Sequence, residues 1–119
     1  LVAEDNPVNQ MLLVAMLEQL GHAAEVVANG REALQRVQAQ RFDLVLMDIQ
    51  MPELDGVATA RAIRRLDGAA GRVPVVAVSA NVLAEQRAGY RDAGMDDLVT
   101  KPIDIDRLAD AIRGAVGRP

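Results

Sequence analysis

Short apolar runs alternate along this chain with longer stretches in which apolar residues recur every three or four positions. The runs at residues 1–4, 24–27, 43–48, 73–79 and 97–100 predict strands. Most are hydrophobic throughout instead of alternating, the pattern of parallel strands covered by helices on both faces. The first helix has Asn6 as N-cap and Pro7 at its first position. It presents Val8, Met11, Leu12, Ala15 and Leu20 on one face and ends at Gly21. A second starts near Gly30 with Ala33, Leu34 and Val37 inward, and a third, capped by Asp55, carries Val57, Ala60, Ile63 and Leu66. The last runs from about Asp104 with Ile105, Leu108, Ala109, Ile112, Ala115 and Val116 in register. A fourth helix over residues 82–93 contains Gly89 and makes no clean stripe, so it is expected to be the most mobile element. Residues 66–72 read as a flexible loop. The alternation as a whole predicts an α/β fold, a doubly wound five-stranded parallel sheet with helices on both faces.

Composition narrows this to a single domain: 119 residues, 50% of them hydrophobic, suffice for one core and not for two. The longest apolar runs stop far short of the ~20 residues that cross a bilayer, so a soluble domain without membrane contact is expected. There is no cysteine, which excludes disulfides and thiolate metal sites and makes the cytoplasm the default compartment. The one histidine, His22, cannot build a zinc site alone. A net charge of −4 and the lack of aromatic platforms, with one Tyr, one Phe and no Trp, argue against direct nucleic-acid binding. Leu1 already lies inside an apolar run, so both ends are read as cut from a longer protein.

In an open α/β sheet, ligands sit beyond the carboxyl ends of the strands. The predicted strands end in Glu4 and Asp5, in Asp48, in Ser79, and in Lys101 followed by Pro102. In the flavodoxin-like order 2-1-3-4-5 these residues converge on one edge. Three carboxylates there repel by roughly 1 kcal/mol per pair in water and about 4 in a partly dry site, which calls for a cation. Oxygen ligands without His or Cys select a hard ion, and few carboxylates with open positions suit Mg2+. Lys101 offers a point charge and Ser79 a hydroxyl donor to phosphoryl oxygens, with the Asp48 carboxylate as nucleophile.

Glu4-Asp5-Asn6, the run from Asp48 through Gln50 and Pro52 to Asp55 and Gly56, the pair Ser79-Ala80, and Lys101-Pro102 together resemble the response-regulator receiver domain, in order and in spacing. The resemblance covers essentially the whole chain. It implies that Asp48 is the phosphoacceptor, that Asp5 and Asp48 bind Mg2+ with the Gln50 backbone carbonyl, and that Glu4 acts through a metal-bound water. It also implies that Ser79 reorients towards the phosphoryl oxygens, that Lys101 pairs with them, and that the Lys101–Pro102 bond is cis. Residues 4–10 and 93–97 are similar to receivers fused to hybrid sensor histidine kinases. The implied partner is a histidine kinase or histidine phosphotransfer domain, with homodimerisation as a further option. By itself such a domain is not a turnover enzyme; a hybrid parent would be a protein-histidine kinase. Two departures matter. The position three residues before the lysine, often aromatic in the family, is Leu98, and Tyr90 in the fourth helix is no substitute. Gln50 and Asn81 occupy positions where the family tunes dephosphorylation.

Each residue also has an ordinary structural explanation. Asn6 and Asp55 read as helix caps whatever the function, and Glu4 and Asp5 as solvated turn residues. Asp48 can cap a turn, and Lys101 can be a surface lysine. Pro52 and Gly56 form turns, His22 follows a helix-ending glycine, and Arg87, Arg91, Arg107 and Arg113 line solvated helix faces. These explanations must hold together at four strand ends on one edge, and that coincidence favours a site. Among alternatives, an aspartyl-phosphate hydrolase of the haloacid-dehalogenase type needs a second acid two residues after the nucleophile, where Gln50 stands. A receiver-like module that only binds partners has no use for the acidic cluster with Lys101. A stand-alone regulator or the receiver of a transcriptional regulator is the alternative to a hybrid kinase.

Overall fold

The computed structural model describes residues 1–49, 56–79 and 89–116. Five strands form one sheet, β1 (Val2–Ala3), β2 (Val26–Val27), β3 (Val45–Asp48), β4 (Val75–Ser79) and β5 (Asp97–Thr100), in the order β2-β1-β3-β4-β5. All neighbours run parallel. This is the expected flavodoxin-like order. The first four strands are shorter than their apolar runs, because a ladder extends only as far as its neighbour does.

Helices α1 (Pro7–Gln19), α2 (Gly30–Ala39), α3 (Gly56–Arg64) and a C-terminal helix (Ile105–Val116) cover both faces. The strands split their side chains between two cores with period two. Ala3, Val45, Met47, Val75 and Ala77 point to the side of α2 and α3, joined by Ala33, Val37, Ala60 and Ile63. Val2, Leu46, Val76 and Val99 point to the other side and meet Leu13, Leu17, Leu108, Ala111 and Ile112. Two covered faces explain why the strands read as unbroken apolar runs.

The structure corrects the orientation of α1. Its buried residues are Leu13 and Leu17, with Met16 and Leu20 packed beside them, whereas Val8 and Met11 are 72% and 73% exposed and Leu12 is 45% exposed. Nearly every side of α1 carries apolar residues, so periodicity gives two competing stripes offset by one residue, about 100° of helix rotation. Residues 66–72 also differ from expectation: Gly68–Arg72 forms a 3-10 turn. Asn6 caps α1 as expected, its Oδ1 accepting from the Val8 and Asn9 N–H groups. The expected Asp55 cap and most of the expected fourth helix lie outside the described residues. At the end of that segment residues 89–92 are helical, and Tyr90 is buried in the core beside α2 and α3.

Candidate functional site

Four of the five strands deliver a polar residue to the carboxyl edge. Glu4 follows β1 and is fixed there by its N–H donating to the Val27 carbonyl at 3.0 Å; its side chain is fully buried. Asp5, next in the chain, is exposed. Asp48 closes β3 beside Val78 of β4 and is buried. Ser79 closes β4, also buried, and its carbonyl accepts from the Lys101 N–H at 2.8 Å, which ties the turn after β5 to the neighbouring strand. The Lys101–Pro102 peptide is cis, as the resemblance implies.

The Lys101 ammonium bridges two of the acids, 3.3 Å from Glu4 Oε1 and 3.4 Å from Asp48 Oδ2. Carboxylate oxygens of Glu4, Asp5 and Asp48 lie within 4.8 Å of one another. Three clustered carboxyl groups thus outnumber the one ammonium beside them, and the imbalance appears at Glu4. Burial, reinforced by a hydrogen bond to Asp48 and by that group's charge, pushes Glu4 up to about 7 against the pull of Lys101. Burial works to lower the Lys101 pKa, but the charges of Asp48 and Glu4 outweigh it and hold the ammonium above its ordinary value. Glu4 is therefore harder to ionise than an ordinary glutamate, in a cluster that lacks positive charge. A small hard cation matches this donor set: all ligand atoms are carboxylate oxygens, two from buried side chains and one open to solvent.

The expected residues Glu4, Asp5, Asp48 and Lys101 are thus brought together, with Ser79 on the adjoining strand end. Gln50 and Asn81 lie outside the described residues. Leu98 is half-buried and packs against the core beside α2 and α3. Two residues of the site were not foreseen. Gly56, expected only to turn the chain, opens α3 with its N–H donating to the Ile49 carbonyl at 3.1 Å. A Cβ at that position would collide with the Asp48 carbonyl oxygen and lie 2.9 Å from the Ile49 Cα. Gly56 lets α3 approach the backbone of Asp48 and Ile49. Gln10 reaches back from α1 to the Glu4 carbonyl at 2.6 Å. Its spacing of one helical turn beyond the Asn6 cap is a hint in the sequence.

Residues 1–113 match the response regulator receiver domain. The chain is 39% identical over 114 residues to the sensor histidine kinase GacS of Pseudomonas protegens, which covers 94% of the chain and 12% of that protein. It is 39% identical over 108 residues to the signal transduction histidine-protein kinase BarA of Escherichia coli, 91% of the chain and again 12% of the kinase. Among solved structures, the receiver domain of the sensor histidine kinase PA1611 from Pseudomonas aeruginosa, with a magnesium ion coordinated in its active site cleft, superposes with a TM-score of 0.90. The two are 38% identical, with 98% of this chain and 95% of that one covered. The chain thus spans about an eighth of the curated kinases it matches. With the 2-1-3-4-5 parallel sheet and its strand-end acids already in place, the likeness over residues 1–113 settles the family: this chain belongs to the response regulator receiver domains.

Proposed function

We propose that this domain accepts a phosphoryl group from a phosphohistidine onto Asp48, in a Mg2+-dependent step of a two-component phosphorelay. The observation that carries this is the Lys101 ammonium, bridging the buried carboxyl groups of Glu4 and Asp48 at 3.3 and 3.4 Å. An Asp48 carboxylate oxygen attacks phosphorus; the P–O bond forms as the P–N bond breaks, and the electron pair leaves with the imidazole nitrogen. Lys101 is placed to turn from Asp48 to the arriving phosphoryl oxygens, and the Ser79 hydroxyl supplies a second donor. Asp5 and Asp48 would hold the ion directly, with the Gln50 carbonyl, and Glu4 through water. When bound, Mg2+ supplies the positive charge that the three acids lack and that the phosphoryl oxygens need.

Wild-type protein given beryllium fluoride or a small phosphodonor with Mg2+ should be modified, and Asp48→Asn should not. Label that persists in the variant removes the assignment.

We further propose that the 119 residues are one module of a longer cytoplasmic or membrane-anchored hybrid sensor histidine kinase, acting in the cytoplasm. The two kinases of 39% identity support this, as does the small share of their length that the chain spans. Among the described residues no helix is long and apolar enough to cross a membrane. The partner is a histidine-bearing kinase or phosphotransfer domain. Any protein donor must cover the edge at Asp5, and α1 starts there with Val8 and Met11 exposed, an apolar face of the kind that partner docking uses.

A further inference from the structure

The turn between β1 and α1 carries two of the three acids. It is held from three sides. The Glu4 N–H is bound to β2 through the Val27 carbonyl, and the Asn6 N–H donates to Glu4 Oε2 at 3.4 Å. The third hold is the half-buried Gln10 carboxamide, whose Nε2 donates to the Glu4 carbonyl at 2.6 Å, six residues back along the chain. That carbonyl belongs to the peptide that joins Glu4 to Asp5, so its plane sets the direction in which the Asp5 side chain leaves the backbone. Asp5 is exposed, and no burial confines it.

We propose that Gln10 is a positioning residue for the cation site: its hydrogen bond to the Glu4 carbonyl fixes the Glu4–Asp5 peptide and presents Asp5 to the ion in register with Asp48. The inference rests on the Mg2+ reading above. Gln10 touches neither ion nor phosphoryl group; it removes the freedom that binding would otherwise have to freeze. The brace is a feature of the first turn of α1, where Pro7 and the Asn6 cap set the helix start and so fix the reach of Gln10.

The test is a Mg2+ titration, by calorimetry or amide chemical shifts, of wild type, Gln10→Met and Gln10→Asn. Met keeps the length and the helix preference without a donor; Asn keeps the amide but falls one methylene short. Both variants should bind Mg2+ about fivefold more weakly, the scale of one hydrogen bond. Their metal-free melting temperatures should fall by less than about 5 °C. With a small phosphodonor, the loss should appear in the Mg2+ concentration needed and disappear at saturating Mg2+. Mg2+ affinity within twofold of wild type in either folded variant overturns the proposal, and a lowered melting temperature beside it makes Gln10 a purely structural cap. If wild type itself binds no Mg2+, the metal reading and this inference both fall, whereas loss on Asp5→Ala with no loss in the Gln10 variants removes this inference alone.

Discussion

The two ends of the sheet each hold a partly buried cation and use it in opposite ways. At the N-terminal end the Arg64 guanidinium donates to the carbonyls of Gly71, Val73 and Gly94 and pairs with Asp96 at 3.1 Å. Its whole fork of donors is used, and the same Asp96 carboxylate accepts the Val75 N–H at 2.8 Å. One charge meets one charge, and α3, the 3-10 turn, β4 and the approach to β5 are locked together. At the carboxyl end Lys101 is about as exposed, 26% against 24%, yet it bridges two acids of a cluster of three. Equal burial therefore says little about purpose. The ratio of cations to carboxyl groups separates a clamp from a site that waits for a ligand.

Substitutions should divide along the same line. The largest contrast is Asp48→Asn, which should abolish labelling while leaving stability unchanged or higher, because it relieves repulsion with Glu4; urea unfolding beside the labelling assay checks both halves. Arg64→Ala should do the reverse, lowering unfolding free energy by about 2–4 kcal/mol through the carbonyls and the Asp96 charge it strands, with Mg2+ affinity of the folded fraction intact. Loss of Mg2+ affinity in Arg64→Ala would break the division. Gly56→Ala should straddle it: about 1–3 kcal/mol of destabilisation from overpacking, and weaker Mg2+ binding as the Asp48 backbone is pushed aside.

Acidity tests the unbalanced end alone. Glu4 ordinarily titrates at 4.5 and here at about 7. Between these values the folded chain keeps a proton that the unfolded chain has released, so metal-free stability falls as pH rises through that window. Mg2+ favours the ionised group, so its affinity should rise with pH through about 7. Unfolding and Mg2+ titrations at about pH 5 and about pH 8 would detect both trends; affinity that is flat across the range would show that the Glu4 charge is not felt by the ion. The smallest change in stability is expected for Met11→Glu, within about 0.5 kcal/mol at so exposed a position. It should slow transfer from a phosphohistidine protein and leave labelling by a small phosphodonor untouched, and equal transfer rates would remove α1 as the docking face.

The parts legible in the sequence are those in which one physical demand dominates. Strands covered on both faces must be apolar throughout, so Val45 to Met47 and Val75 to Val78 stand out, and a polar residue straight after such a run marks the carboxyl edge. Asp48, Ser79 and Lys101 were found in that way, and the cap at Asn6 by its chemistry. What escaped depends on tertiary neighbours. α1 is apolar almost all round, so Leu13 and Leu17 win the core over Val8 and Met11 only because the sheet lies on their side. The turn at Gly68–Arg72 is ordered by its Arg64 contacts, and no local signal announces an arginine from another element. Gly56 reads as a turn former until the Asp48 carbonyl is seen where its Cβ would be.

The bridge from Lys101 to Glu4 joins residues 97 positions apart, and the bridge to Asp48 spans 53. Contacts of such separation carry the entropy cost of closing a long loop before they can form. During synthesis the acids leave the ribosome first and remain without their lysine until β5 docks at the sheet's edge. A chain interrupted before that strand would carry Asp48 and lack its charge partner. The charge balance of the acidic cluster would then depend on the chain's having been completed through β5, a dependence that arises from chain order alone.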